Sequence, residues 1–278
     1  MCRLFGLAAG VETVRATFWL LDAPDSLQVQ GRRNRDGTGL GFFDVADSPV
    51  VDKQPEAAYS DVQFISEAKV AESRTFVAHV RVATTGALSA ANTHPFSMDG
   101  RIMAHNGGFE ELSTLETELG HDMDRVVGDT DSERYMALIT RNIARCDGDV
   151  GAGITEAAAW LAAHVPLFSL NMVLVTPVGL WALRYPDHHR LYALHRSAGG
   201  HDDGSLRGQS EHLGIESDHL AEHPAGIVAS EPMDDHPDWR LMESGELLHV
   251  GPDLTVRSSL ILLDPPARRS IDPLPSTP

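Results

Sequence analysis

Cysteine is almost absent from this chain. Only Cys2 and Cys146 occur among the 278 residues. Two cysteines cannot build the disulfide framework on which small secreted domains depend, so the sequence favours folding in a reducing compartment. Cys146 lies at the end of a predicted helix and far from any motif, and we interpret it as a packed thiol. Cys2 is harder to explain, because a chain terminus is a poor place for a buried thiol.

Long apolar runs are also missing. No stretch of the sequence approaches the roughly 20 residues that a helix needs to cross a bilayer. The apolar stretch after Arg3 is too short for a signal peptide, because Glu12 and Arg15 follow it. Only Met1 precedes Cys2, which leaves no hydrophobic segment for a lipoprotein-type cysteine. The sequence predicts a soluble, cytoplasmic protein.

Basic residues are scarce relative to acidic ones. The chain carries 22 Lys and Arg against 40 Asp and Glu, which gives a net charge of -18. So acidic a surface repels phosphate backbones and anionic lipid, so neither nucleic acid nor a membrane surface is an expected partner. Hydrophobic residues make up 42% and charged residues 22%, which is ordinary globular composition.

Hydrophobic patterning predicts strands at both ends of the chain and helices between them. The segments "CRLFGLAAG", "TFVAHVRVATTG" and "RIMAHNGG" read as strands, and a further strand is expected over 40–45 with Phe42 and Phe43 on opposite faces. Six short strands are expected after residue 166. Strands followed by helices and then strands, without regular alternation, favour an α+β domain of antiparallel sheets covered by helices over a doubly wound parallel sheet.

Four helices are predicted. The first is "ETVRATFWLLDAP", which a proline ends. The second is "SDVQFISEAKVAESR", with an apolar side expected at Val62, Ile65, Ala68 and Val70. The third, "DTDSERYMALITRNIARC", begins with a capping Asp, and the fourth is the alanine-rich "GAGITEAAAWLAAHV".

The chain reads as one domain over residues 2–262. A segment rich in Gly, His and Asp, 197–224, is predicted to be a mobile insertion, and the Pro-rich end, 263–278, a disordered tail. His219 and His223 have a spacing that can bind metal on a helix, and His188 and His189 are adjacent. With no cysteine near them, we interpret these histidines as loop residues and predict no metal site.

Removal of Met1 would give Cys2 a chemical purpose. The new terminus would carry a thiol, with a reference pKa of about 8.5, and an α-amine near 8. The amine can accept the thiol proton, so one residue would supply both the nucleophile and its base. The alternative is a small hydrophobic side chain at the start of a strand.

Three other segments carry groups that suit acyl transfer. Arg81 stands at a predicted strand end, where a guanidinium can hold a carboxylate by two parallel hydrogen bonds. "HNGG" presents an amide side chain and a glycine N–H, which together suit an oxyanion hole. "GDTDSE" offers carboxylates that could hold an ammonium. Taken singly, each has a structural explanation as a strand-edge Arg, a turn or a helix cap. Taken together, they fit cleavage of the side-chain amide of glutamine or a γ-glutamyl compound.

The ordered motifs resemble those of a class II glutamine amidotransferase, a group of N-terminal nucleophile hydrolases. They are "MCRLFG", "NRDGTGLGFF", "AHVRVATTG", "NTHPF", "HNGGFEE", "GDTDSE", "SLNMVLV" and "ASEPM", and they cover about residues 2–250. The chain is most similar to the stand-alone members, which include the γ-glutamyl amidohydrolase of ergothioneine biosynthesis. The resemblance implies a four-layer αββα sandwich and no cofactor.

The resemblance also implies site roles. Cys2 would be the nucleophile, and Asn106 and Gly107 would form the oxyanion hole. The residues that would bind the glutamyl group or support its pocket are Arg81 for the α-carboxylate, Asp131 for the α-ammonium, Thr84 in the pocket lining and Arg35 in the loop that closes over the substrate.

The sequence departs from the family pattern at three pocket positions. Thr38 and Val82 stand where relatives carry Trp, and Thr85 stands where they often carry His. A more open pocket is the expected consequence, and free glutamine is then in question as the substrate.

Three functions remain open from the sequence. The first is an amidohydrolase acting on a small-molecule γ-glutamyl amide or glutamine through a Cys2 thioester. The second is a glutaminase subunit that passes ammonia to a synthase partner in trans, because only about thirty residues follow the core, too few for a synthase domain. The third is a catalytically silent member of the fold.

Overall fold

The computed structural model describes residues 2–82, 87–197 and 223–270. Within them the strands are β1 (Arg3–Ala8), β2 (Val14–Arg15), β3 (Gly37–Phe43), β4 (Pro49–Gln54), β5 (Glu72–Ser73), β6 (Thr75–Arg81), β7 (Phe96–Met98), β8 (Arg101–Phe109), β9 (Leu167–Thr176), β10 (Gly179–Arg184), β11 (Tyr192–Arg196), β12 (Ala225–Ala229), β13 (Arg240–Leu241), β14 (Glu246–Val250) and β15 (Val256–Leu260). The α-helices are α1 (Leu27–Gln30), α2 (Val62–Val70), α3 (Leu112–Leu119), α4 (Asp131–Arg145) and α5 (Val150–His164). A π-helical turn covers Phe18–Asp22 and a 3₁₀ helix covers Gly120–Arg125.

Two antiparallel sheets carry the fold. The first has the strand order β13-β11-β12-β1-β6-β3-β4, and the second has the order β15-β14-β10-β9-β8-β7. Strands β2 and β5 form a separate small pair. Every residue of β6 is buried, because its sheet is covered on both faces. A strand buried on both sides loses the alternation of apolar and polar residues that a half-exposed strand shows.

Three hydrophobic clusters define four layers. Leu4 and Val77 of the first sheet pack against Ile102 and Val173 of the second, so the two sheets face each other. The opposite face of the second sheet packs against the two long helices α4 and α5 and against α3. The opposite face of the first sheet packs against α2, α1 and the π-helical turn. The order helix, sheet, sheet, helix confirms the predicted αββα arrangement.

Most of the predicted strands are confirmed, and the errors concern helices and sheet edges. The expected first helix contains strand β2 and the π-helical turn instead. In α2 the predicted apolar side was partly right, because Ala68 is buried and Ile65 packs against the same cluster, whereas Val62 and Val70 are exposed. Phe64, which was not part of that side, is also buried. Strand β4 was not predicted, and its polar residues Asp52 and Lys53 suit a strand at a sheet edge.

The described residues end inside the predicted tail. Arg268 forms hydrogen bonds to both carboxylate oxygens of Glu111, and the backbone N–H of Ala267 donates to the carbonyl of Ala162 at 2.9 Å. The tail up to Ser270 is therefore held against the helical layer next to the second sheet. Residues 271–278 and 198–222, most of the predicted insertion, lie outside the described residues. No described helix is both long enough and apolar enough to pass through a bilayer.

Candidate active site

Three strands bring chemically active side chains to one end of the space between the sheets. Cys2 immediately precedes β1 and is opposite Arg81, the last residue of β6, because Arg3 pairs with Val80. Asn106 lies on β8 of the second sheet. Side chains alternate along a strand, so Cys2 shares the face of Leu4, Arg81 that of Val77, and Asn106 that of Ile102. Those three apolar residues all belong to the cluster between the sheets.

The Cys2 thiol is held against the end of β6. The backbone N–H of Val82 lies 3.3 Å from Sγ, and Sγ lies 3.4 Å from the carbonyl oxygen of Val82. Burial raises the pKa of the Cys2 thiol, while the Val82 hydrogen bond and the positive charges of the amino terminus, Arg81 and Arg3 act in the opposite direction. The thiol is therefore mostly protonated at neutral pH and needs a base in order to react.

Asn106 connects the second sheet to Cys2. Its Nδ2 donates to the backbone carbonyl oxygen of Cys2 at 2.9 Å. An amide NH₂ carries two hydrogens, so a second N–H remains for another acceptor. The carbonyl oxygen of Asn106 accepts from Ser169 Oγ at 3.2 Å, and His189 Nδ1 lies 3.5 Å from the same oxygen. The Asn106 side-chain amide therefore lies next to the Cys2 backbone, and Gly107 follows it in β8.

Asp131 is turned towards β8 rather than used as a helix cap. The sequence predicts a capping Asp, but Thr130 is the cap, and its Oγ1 accepts from the N–H of Glu133 at 3.3 Å. Glu133 in turn accepts from the backbone N–H of Gly128 at 2.6 Å. The Thr130 hydroxyl therefore satisfies one N–H of the first turn, and Glu133 holds the loop two residues before the cap. Asp131 Oδ2 is left to accept from the backbone N–H of Phe109 at 3.3 Å.

Arg81 is buried and supplies the positive charge of the site. Only 4% of its surface is exposed. Burial lowers the pKa of the Arg81 guanidinium, and the charges of Cys2, Asp36 and Asp131 oppose that effect. Arginine keeps its charge in proteins because its reference pKa is so high. A buried guanidinium and the Asp131 carboxylate carry the opposite charges that the two ends of an amino acid would require.

Other predicted site residues are placed differently. Arg35 is exposed, donates from Nε to the carbonyl of Arg32 at 3.1 Å, and lines a surface cavity of about 480 Å³ with Tyr59. Thr84 and Thr85 lie outside the described residues. Thr38 is fully buried and donates from Oγ1 to the carbonyl of Glu56 at 2.8 Å.

Thr38 therefore does not widen a pocket between the sheets. Leu40, two residues further along the same strand, packs against α2 on the face of the first sheet that is turned away from the second sheet. Thr38 points to that face as well. Among the three departures from the family pattern, only Val82 is seen beside the thiol.

Four residues near the site were not predicted. His105 Nδ1 lies 2.9 Å from Ser132 Oγ, and His105 Nε2 lies 3.0 Å from the carbonyl of Ser169. His189 was interpreted as a loop residue, yet it is buried and lies behind Asn106. Burial chiefly lowers the pKa of His189 to about 4, with the charge of the amino terminus among the smaller causes. His105 could have been noticed within "HNGG", Ser132 within "GDTDSE" and Ser169 at the start of "SLNMVLV". His189 offered no local signal.

Comparison with known proteins agrees with this geometry. Residues 1–258 match the family described as "Glutamine amidotransferases class-II". The putative glutamine amidotransferase YafJ of Escherichia coli is 26% identical, with 88% of this chain and 96% of YafJ aligned. The gamma-glutamyl-hercynylcysteine sulfoxide hydrolase of Mycobacterium tuberculosis is 35% identical over 117 residues, which are 38% of this chain and 49% of the hydrolase.

A solved structure supports the fold. The glutamine phosphoribosylpyrophosphate amidotransferase of Bacillus subtilis superposes with a TM-score of 0.64 at 18% identity over 94% of this chain. The chain spans 50% of the length of that enzyme. Because the family match covers almost the whole described structure, the chain belongs to the class II glutamine amidotransferases.

Proposed function

We propose that this protein is an amidohydrolase that cleaves the side-chain amide of glutamine or of a γ-glutamyl compound through a thioester on Cys2. The observation that carries the proposal is the 2.9 Å hydrogen bond from Asn106 Nδ2 to the Cys2 carbonyl. It joins residues 104 positions apart and places the Asn106 side-chain amide next to the backbone of the residue that carries the thiol. Hydrolases of this chemistry need a nucleophile and an oxyanion donor in that proximity.

The first half of the reaction forms the thioester. Once Met1 has been removed, the α-amine of Cys2 accepts the thiol proton as Sγ attacks the amide carbon. Negative charge develops on the amide oxygen, where Asn106 Nδ2 and the backbone N–H of Gly107 stabilise it. The α-ammonium then gives its proton to the departing nitrogen, the C–N bond breaks, and ammonia or an amine leaves.

The second half releases the acid. Water attacks the thioester carbon while the α-amine accepts a proton from the water, and the same oxyanion donors stabilise the second tetrahedral intermediate. Its collapse breaks the C–S bond and returns the proton to sulfur, so glutamate leaves and the thiol is restored. Throughout, Arg81 would hold the α-carboxylate and Asp131 the α-ammonium, which leaves the amide end of the substrate at Cys2.

The relatives fit this chemistry without fixing the substrate. The mycobacterial relative is named as a hydrolase of a γ-glutamyl compound, and YafJ is named as a putative glutamine amidotransferase. Both names refer to a glutamyl group, which is the part of the substrate that Arg81 and Asp131 would hold here. The leaving amine is the part that remains to be identified.

The experiment is turnover by untagged protein whose intact mass shows loss of Met1. Glutamate release is measured from L-glutamine and from γ-glutamyl-p-nitroanilide, and alkylation is measured with 6-diazo-5-oxo-L-norleucine. We expect Cys2→Ala to abolish both, and the alkylated residue of the wild type to be Cys2. Glutamate release that survives in Cys2→Ala would refute the thioester mechanism. A processed wild type that is neither alkylated nor active would indicate a silent member of the fold.

A further inference from the structure

We propose that His105 is a positioning residue that holds the oxyanion donors of β8 at a fixed distance from Asp131 on α4. The inference rests on the proposed function, because it concerns the same site. His105 itself lies on the β8 face turned away from Cys2, where its ring packs edge-on against Tyr135 of α4 at 5.4 Å between centroids. It therefore acts through its neighbours and does not touch the substrate.

The tautomer of His105 follows from its two partners. Nε2 lies 3.0 Å from the backbone carbonyl oxygen of Ser169, which can only accept, so Nε2 carries the hydrogen. The burial of His105 lowers its imidazole pKa, so the ring is neutral at pH 7. Nδ1 is then an acceptor, and the Ser132 hydroxyl, 2.9 Å away, is its donor. One ring thus joins β9 to the first turn of α4.

Gly107 leaves room for this bridge. A Cβ at Gly107 would lie 1.9 Å from the Ser169 carbonyl oxygen and 2.7 Å from His105 Nε2. Any side chain there would therefore displace one member of the His105–Ser169 hydrogen bond. Ser169 also donates from Oγ to the carbonyl of Asn106 at 3.2 Å. The bridge thus passes directly beside the two residues proposed as oxyanion donors.

The other end of the bridge reaches Asp131. Ser132 follows Asp131 in the chain, so a hydrogen bond that holds Ser132 also holds the backbone that carries Asp131. The Ser132 Oγ lies 3.4 Å from Asp131 Oδ1, but its one hydrogen is donated to His105 Nδ1, so the coupling to Asp131 runs through the backbone of the helix start. Asp131 Oδ2 accepts from the backbone N–H of Phe109 on β8. The helix start is therefore fixed to β8 at two points, one through Phe109 and one through His105. The spacing between the ammonium site and the oxyanion hole depends on both.

Ser132→Ala tests the bridge without emptying the core, whereas truncation of the buried His105 ring would leave a cavity. The probe is 6-diazo-5-oxo-L-norleucine, and the readout is the second-order rate of Cys2 alkylation followed by intact mass. We expect a loss of about tenfold, the usual effect of removing one buried hydrogen-bond donor. Ser132→Thr, which keeps the hydroxyl, should restore the rate to within about threefold of the wild type.

A double-mutant cycle separates positioning from general destabilisation. If Ser132 acts through Asp131, Ser132→Ala should reduce the alkylation rate little or not at all in an Asp131→Asn background, so the two effects will not add. The matched control is Thr140→Val, which removes another buried hydroxyl from α4 and should alkylate like the wild type.

The outcomes are distinct. Additive losses, or an unchanged rate in Ser132→Ala, would overturn the role of His105 while leaving the proposed function intact. A wild type that resists alkylation at Cys2 would overturn the proposed function, and the positioning role with it. Non-additive losses with rescue by threonine would establish the bridge.

Discussion

Asn106 Nδ2 donates to the carbonyl oxygen of Cys2 across the gap between the two sheets. The proposed nucleophile and the proposed oxyanion donor therefore come from different sheets, and this hydrogen bond links them directly. Asn106→Ala would remove the donor and keep the thiol. We expect kcat to fall by about 10²–10³ with a much smaller change in KM, as for other oxyanion donors.

Steady-state kinetics on γ-glutamyl-p-nitroanilide measure this effect. Asn142→Ala, at a buried position near the end of α4, is a suitable control for the loss of a buried amide. A fall in kcat of less than about threefold in Asn106→Ala would show that this amide does not stabilise the transition state.

Asp131→Asn should weaken substrate binding. The carboxylate is the proposed partner of the substrate ammonium, and a neutral amide loses that charge while retaining an acceptor for the Phe109 N–H. We expect kcat/KM to fall by about tenfold to a hundredfold, mainly through KM, because charged hydrogen bonds are the stronger ones. Asp129→Asn, two residues earlier and exposed, is the matched control. Equal losses in the two variants would remove the case for a specific ammonium site.

Activity should depend on a free α-amine at Cys2. Burial raises the pKa of the Cys2 thiol, so the thiol does not ionise at neutral pH without a base to accept its proton. Turnover should therefore fall below about pH 7, where an α-amine becomes protonated. One alanine left in front of Cys2 should inactivate the protein without altering its thermal midpoint. A pH–rate profile that stays flat to about pH 5 would exclude the amine as the base.

Buried histidines should make the fold sensitive to acid. Burial lowers the pKa of His79 to about 3 and that of His94 well below its ordinary value. Their ring centroids lie 4.3 Å apart with the planes tilted by 38°, and Arg81 and Lys53 add positive charge nearby. In the unfolded chain both rings take up protons below about pH 6.5, while the native protein resists. The free energy of unfolding should therefore be highest above about pH 6.5 and fall progressively below it.

The measurement is urea unfolding between pH 7.5 and pH 5. Each such histidine contributes a slope of up to about 1.4 kcal/mol per pH unit in the free energy of unfolding. His79→Gln cannot titrate, so one proton fewer should be taken up on unfolding. The slope of the unfolding free energy against pH should be smaller than that of the wild type by the corresponding amount. His195→Gln, which replaces an exposed histidine, should leave it unchanged. Equal slopes in wild type and His79→Gln would contradict the prediction.

Glu67 and Asp52 should have the opposite pH dependence. Burial first, and then the neighbouring Asp52 carboxylate, raise the pKa of Glu67 to about 7. Because its pKa is raised in the folded state, Glu67 contributes stability at low pH. That contribution is lost as the pH rises through about 7, where the carboxyl ionises. Glu67→Gln should therefore raise the thermal midpoint at pH 8 but not at pH 5. A gain of the same size at both values would rule out repulsion between the two carboxylates.

The sequence was most informative where local patterns decide the structure. Strands β6 and β8 were predicted because apolar runs end in polar motifs, and those ends carry Arg81 and Asn106. The apolar side of α2 was right at Ala68 and wrong at Val62 and Val70, because a helix of nine residues packs mainly through Phe64 and Ala68 and its ends stay exposed. Helix periodicity alone does not say which part of an apolar stripe a sheet will cover.

The environment of the site depends on contacts that no local pattern encodes. His189 reaches Asn106 across 83 positions, and Ser169 reaches it across 63. The sequence also does not reveal that Thr130, and not an Asp, caps α4, because Asp and Thr are both good capping residues. The sequence therefore predicted the chemistry of the groups better than the hydrogen bonds that orient them.

The division of the site between the two sheets has a mechanical consequence. Gly6 faces Val173 across the interface between the sheets, and a Cβ at Gly6 would lie 2.6 Å from Val173 Cγ1. Side chains that thicken this interface would move Cys2 and Arg81 away from Asn106 as rigid units. The turnover rate should therefore depend on the distance between the two sheets. It should fall when that distance increases, even if the structure within each sheet is unchanged.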